Sequence, residues 1–131
     1  MICSVVFKEN GKPYNFSSNE IDCALEDKVI VETEKGLQYG KIIKIYENKI
    51  EERDLKNIVR LATDEDHSKY LKNTKDAVIA LEKAKELAKE LNLEMFFLDA
   101  YYTFDKKQLL FNFISDNRVD FRELAKRLAG I

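Results

Sequence analysis

Between Thr63 and Asn92 apolar residues recur at helical spacing, and β-branched runs stand on both sides of that stretch. Tyr70, Ala77, Val78, Leu81, Ala84, Ala88 and Leu91 keep the 3.6-residue period and predict one long helix. Thr63 stands where an N-cap belongs. Asp66 follows three residues on, in the place that a capping box usually fills with Glu or Gln. Asp64, Glu65 and Asp66 put negative charge in the first turn, where the helix dipole favours it. Glu65 and Lys69 form an i,i+4 pair in the favourable order, and the helix is predicted to stop near Asn92.

The residues before the helix predict strands. Ile2, Val5 and Val6 lie in an apolar run, and Asn10-Gly11 is a hairpin signal that leads into Tyr14-Asn15-Phe16. Val29-Ile30-Val31 and Ile42-Ile43 are joined through the Gly36 loop as a second hairpin. Gly40 inside that run predicts a bulge or a close backbone approach. Residues 47–57 are charged and aperiodic and predict a connecting arm, followed by a short strand at 58–61.

After the helix, Met95 to Phe104 is almost wholly apolar, which predicts a strand buried on both faces or paired centrally. A turn at 105–108 leads to a return strand, with Leu109, Phe111 and Phe113 on one face and Leu110, Asn112 and Ile114 on the other. Asp120 is placed to cap a last helix. That helix carries the stripe Phe121, Leu124, Ala125 and Leu128, and Gly130 stands where it ends. The predicted class is therefore α+β: a small N-terminal antiparallel β sheet or barrel (residues 1–61), followed by a helix–β-hairpin–helix layer (62–131) in a single domain. The hairpin leaves an edge strand without a partner in this chain.

Composition narrows the function classes. The 22 basic and 24 acidic residues give a net charge of −2, so no global basic field draws the chain to nucleic acid or membrane. No window approaches the roughly 18 apolar residues of a membrane helix, and the N-terminal apolar run is too short for a secretory leader. The chain reads as cytoplasmic. Its two cysteines, Cys3 and Cys23, read as free thiols. The single histidine, His67, would sit over Asp64. Two ligands fall short of the four of a closed zinc site, so His67 reads as a solvated surface residue. The 4 glycines fall in no phosphate-cradling pattern, and no nucleophile motif occurs.

Three candidates remain. Asp99, placed on the face of Met95, Phe97 and Tyr101, would make a general acid if buried, against the plainer reading of a hydrogen-bonded structural carboxylate. Arg118, Arg122 and Lys126 would form a basic ridge on the last helix for a protein partner or RNA, interrupted by Asp120 and Glu123. The aromatics Phe96, Phe97, Tyr101, Tyr102, Phe104, Phe111, Phe113 and Phe121 would stack bases or, more simply, pack under the helices.

Four stretches in fixed order carry a resemblance. They are Val31-Glu32-Thr33 with Gly36 and Tyr39-Gly40; Arg60 through Asp66; Tyr102-Thr103-Phe104-Asp105; and Arg118 through Leu124. Together they resemble the PSP-one C-terminal domain family, whose bacterial branch is the stage-zero sporulation proteins of the YaaT or RicT type. The resemblance runs from about residue 2 to residue 129. It implies a cytosolic, non-enzymatic accessory factor that works in a complex with two partner proteins. Such a factor promotes the sporulation phosphorelay and competence, and assists ribonuclease Y in maturing messenger RNA. Relatives outside bacteria are linked to RNA binding.

Relatives continue into a further strand and a cysteine-rich segment associated with iron–sulfur clusters. Cys3 and Cys23 do not match those positions, so the chain is expected to be truncated relative to the family and to hold no cofactor of its own. The expected function is a regulatory adaptor with protein partners. The alternatives are direct binding of single-stranded RNA, and a small enzyme using Asp99.

Overall fold

The computed structural model describes residues 1–116 and 118–130. The elements run β1 (Ile2–Val6), β2 (Tyr14–Ser17), β3 (Lys28–Thr33), β4 (Gly36–Tyr46), α1 (Lys49–Glu52), β5 (Ile58–Leu61), α2 (Asp64–Glu90), β6 (Met95–Tyr102), β7 (Leu109–Ser115) and α3 (Arg122–Leu128). The fold is α+β: a curled five-stranded antiparallel sheet, then a helix and a β-hairpin. The chain forms two compact units. One holds Met1–Tyr70 with Thr103–Gln108, and the other holds Leu71–Tyr102 with the residues from Leu109 onward.

In the first unit the strand order is β2-β1-β4-β3-β5. Cys3, Val5, Phe16, Val29, Val31, Ile42 and Ile58 point into one core. Ile30, Tyr39 and Phe104 form a second cluster with Leu37, Ala62 and Tyr70. Val29, Ile30 and Val31 are all fully buried, so β3 is covered on both faces, as its unbroken β-branched run requires. The curl brings the two edges of the sheet together: Ser17 bridges Asn57, and its N–H donates to the Lys56 carbonyl at 2.9 Å.

Gly40 answers to close approach. A side-chain carbon there would stand 2.4 Å from a Val5 methyl and 2.9 Å from the Val6 carbonyl oxygen. The bulge lies nearby, where the β1–β4 register passes from Ser4↔Lys44 to Val5↔Ile42 and leaves Ile43 over. The arm at 47–57 holds a short helix that aperiodic charge did not predict. Asn48 caps α1 by accepting the Glu51 N–H at 3.1 Å.

Helix α2 starts where the capping box placed it. Asp66 Oδ2 accepts the Thr63 N–H at 2.9 Å, and Thr63 Oγ1 accepts the Asp66 N–H at 3.2 Å. The same carboxylate takes both Nη1 and Nη2 of Arg60, one residue short of the end of β5. The helix ends with Asn92 in the left-handed region at φ 55°. Leu93 N–H then donates to the Ala88 carbonyl and Asn92 N–H to that of Lys89, a Schellman ending.

In the second unit Ala77, Ala80, Ala84, Leu87 and Ala88 are buried along one side of α2. Val78, expected on that side, is 57% exposed. The buried stripe at this level runs through Ala77, Ala80 and Ala84, and Val78 lies about 100° round the helix from Ala77, off that stripe. Leu87, Ala88 and Leu124 form the core with Leu91, Leu93, Met95, Phe97, Phe121 and Leu128. Phe97 meets Phe111 and Phe113 edge-on, and Phe113 rests 5.1 Å from Phe121.

The β6–β7 hairpin is not buried on both faces. Phe96, Leu98 and Ile114 are 76%, 61% and 61% exposed. The helices of this unit pack on one face of the ribbon, and two strands have no further layer to offer the other.

The Asp66 carboxyl is held down from its ordinary 3.8 to about 2, first by the Arg60 hydrogen bonds and then by Thr63 against the opposing cost of burial. Its folded value lies below its unfolded one, so its stabilisation is complete above about pH 4 and is lost as pH falls through about 2. Asp66→Asn is expected to cost about 2 kcal/mol in urea unfolding near neutral pH, with the gap to the parent closing near pH 2. Gly40→Ala is expected to cost about 1–3 kcal/mol by overpacking β1, at every pH.

Candidate functional surface

His67 is exposed, as the sequence predicts, and it also has a partner in the fold. His67 Nδ1 lies 2.7 Å from the Tyr39 hydroxyl. Tyr39 stacks on Tyr70 with ring centres 4.4 Å apart, and on Phe104 at 6.5 Å. Lys69 Nζ lies 4.6 Å from the centre of the Phe104 ring. Burial, then the neighbouring Tyr70 and the Asp66 carboxylate, push the Tyr39 hydroxyl above its ordinary 10. The contact was hidden from sequence because it joins β4 to the first turn of α2, and α2 spacing speaks only of Asp64.

The loop Thr103–Gln108 completes this cluster. Phe104 N–H donates to the Leu37 carbonyl at 2.7 Å. Thr103 Oγ1 donates to Asp105 Oδ1 at 2.6 Å, and this bond first, with the Lys107 N–H behind it, holds the Asp105 carboxyl below its ordinary 3.8. Gly36, at φ 122°, faces that carboxylate: a side-chain carbon there would stand 3.2 Å from Asp105 Oδ2.

Asp99 lies on the opposite face from the one expected. The β6–β7 ladder slips between Phe97 and Asp99, so Asp99 pairs with Asn112 and shares a face with Phe96 and Ile114. Asn112 Nδ2 donates to Asp99 Oδ1 at 2.6 Å. Strict alternation could not reveal an extra residue in one strand.

Helix α3 presents exposed Arg122 and Lys126 one turn apart. Arg118 lies in the turn ahead of the helix, where its N–H donates to Asp116 Oδ1 at 2.9 Å. Asp120 accepts the Arg122 N–H at 3.0 Å and the Arg122 Nη2 at 2.7 Å. Those bonds hold its carboxyl down to about 2. Arg127, absent from the expected ridge, pairs with Glu123 at 3.1 Å and Glu90 at 3.7 Å. A shallow hollow of about 360 Å³ beside Arg122 is lined by Leu91, Leu93, Asp120 and Glu123. Among the described residues no three His, Cys, Asp or Glu side chains gather as a metal site, and no helix is long and apolar enough to cross a membrane. Two cysteines do not fit the four thiolates of an iron–sulfur cluster.

Residues 56–131 match the family described as the PSP1 C-terminal conserved region. The chain is also 36% identical over 134 residues to the stage 0 sporulation protein YaaT of Bacillus subtilis (strain 168), covering 99% of this chain and 48% of that protein. The chain belongs to the PSP1 family. It spans about half the length of this curated relative. No solved structure matches.

Three of the four stretches that carry the PSP1 resemblance meet in the first unit. Gly36, Leu37 and Tyr39 contact Phe104 or Asp105, while Arg60, Thr63 and Asp66 fix the start of α2. Their contacts within the unit are those of packing and capping. Tyr39→Phe is expected to cost about 1 kcal/mol, the worth of one hydrogen bond, in thermal or urea unfolding. Tyr39→Ala, which also removes the stack, is expected to cost about 3–5 kcal/mol in the same measurement.

Proposed function

We propose that this PSP1-family chain acts as a non-enzymatic regulatory adaptor in the cytoplasm. It serves a protein complex that promotes the sporulation phosphorelay and ribonuclease Y-dependent maturation of messenger RNA. The observation that carries this reading is the 36% identity, over almost the whole chain, to a protein named for stage 0 of sporulation. The use made of the reactive side chains supports it. His67 is bonded to Tyr39 and Asp99 to Asn112, so each has a partner within the fold.

The contact surface is the outer face of the β6–β7 ribbon, where Phe96, Leu98 and Ile114 stand in solvent. An exposed apolar face on a strand pair with two open edges suits a partner that adds a strand or lays down an apolar helix. Arg118, Arg122 and Lys126 are the charged contacts of the adaptor. Direct binding of single-stranded RNA is the weaker alternative, because Asp120 already engages Arg122 and Glu123 and Glu90 engage Arg127. RNA affinity requires cations that remain available to release counterions.

A chimera tests the adaptor reading: this chain replaces the matching half of the Bacillus subtilis YaaT protein in cells that lack it. The chimera is expected to restore sporulation. The same chimera with Phe96→Lys and Ile114→Glu, which sets opposite charges on these two register partners, is expected to lose it, while the purified chain carrying both changes shifts in stability by no more than about 1 kcal/mol per site. Failure of the unmodified chimera, although it accumulates normally, sinks the proposal. Salt-sensitive binding of single-stranded RNA by the purified chain, abolished by Arg122→Glu with Lys126→Glu, would establish the alternative instead.

A further inference from the structure

We propose that Cys3 and Cys23 form a modification site, a thiol pair in which a disulfide latches the segment between β2 and β3 onto β1. This proposal is independent of the adaptor reading. Cys3 sits within β1, fully buried, with its side chain among Val5, Phe16 and Ile42. Cys23 is half-buried, lies in the segment between β2 and β3, and packs against the same core. The two side chains share this packed cluster, and each thiol perturbs the ionisation of the other. Two sulfurs cannot complete a zinc or iron–sulfur site. The chemistry open to this pair on its own residues is thus that of a dithiol.

The segment that Cys23 occupies has the character of something to be fastened. It contains no helix or strand, and Asn19, Glu20 and Glu26 all have left-handed backbone at φ 54°, 61° and 71°. Its ends are tied. Ser18 N–H donates to the Met1 carbonyl, and Glu26 N–H donates to that of Ile42. A bond at Cys23 would fasten the stretch between those ties. It would close a loop of roughly 20 residues, a size at which cross-linking removes considerable freedom from the unfolded chain.

Exposure sets the order of events, for Cys3 is fully buried and Cys23 only partly so. Burial pushes both thiols up, Cys3 to about 11. Cys23, the more accessible, reacts first. Its thiolate attacks one sulfur of an oxidised low-molecular-weight disulfide. That S–S bond breaks, and one thiolate leaves and takes up a proton. Cys3 then gives its proton to solvent and attacks the Cys23 sulfur, expelling the second small thiolate, which is also protonated. Two protein thiols are oxidised by two electrons, and one disulfide is reduced to two thiols. Both protein thiols are protonated at neutral pH, so the latch closes slowly there and faster as pH rises.

The test incubates the purified full chain with oxidised glutathione near pH 7 and near pH 8.5. Alkylation under denaturing conditions then precedes intact-mass measurement and peptide mapping. The expected product is a monomer lighter by two hydrogens, with the Cys3 and Cys23 peptides linked, formed several-fold faster at the higher pH. It should melt several degrees above the reduced chain. Cys23→Ser should yield no linked peptide and no change in melting with glutathione. The wild-type chain in its two redox states keeps the comparison valid if that variant folds poorly. A glutathione adduct that persists on Cys23 beside a free Cys3, linkage only between chains, or a linked form that melts no higher would each overturn the proposal.

Discussion

The Asp66 carboxylate accepts from the Arg60 guanidinium and from the Thr63 N–H at once. Those bonds join the last strand of the sheet to the first turn of the longest helix, so they set where α2 starts relative to β5. One residue later His67 reaches Tyr39, and one turn later Tyr70 stacks on the same ring. A start displaced by a single residue would turn both side chains about 100° away from β4. The guanidinium is half in solvent while the carboxylate is buried. The cost of burying the acid is thus offset by charge-assisted hydrogen bonds from a cation that keeps much of its hydration.

What the sequence carried, and what it did not, divides along the reach of the forces involved. The capping box at Thr63 and Asp66, the stop near Asn92 and the two N-terminal hairpins depend on residues within a few positions of one another, and they were legible. The placement of Asp99 was not. One additional residue at Leu98 reverses the faces of β6 beyond it, and no local propensity marks that slip. Burial of the hairpin was overread because apolar composition cannot tell a covered strand from one whose second face stays open. The exposed position of His67 was legible, but its bond to Tyr39 was not, because that partner is 28 residues away in the chain.

The residues by which the PSP1 family can be recognised are, in the first unit, those that hold it together. A loop that fits Leu37 with its backbone and Tyr39 with an aromatic ring tolerates little change, and neither does a glycine facing a carboxylate. Phe96, Leu98 and Ile114 answer to a different demand. Their side chains stand in solvent and contribute little to the core of their own unit. Three of the stretches that mark the family thus serve the packing of the first unit, and these three exposed side chains lie outside them.

The curl of the first sheet also bears on what happens when many copies are crowded together during synthesis. By fastening Ser17 to the residues just ahead of β5, the sheet occupies part of the backbone on which a foreign strand would template. The ribbon has no such seam. Any tendency of this polypeptide to coalesce into insoluble material should therefore start there, and a solubility tag or a charged substitution will protect it best at β6 and β7.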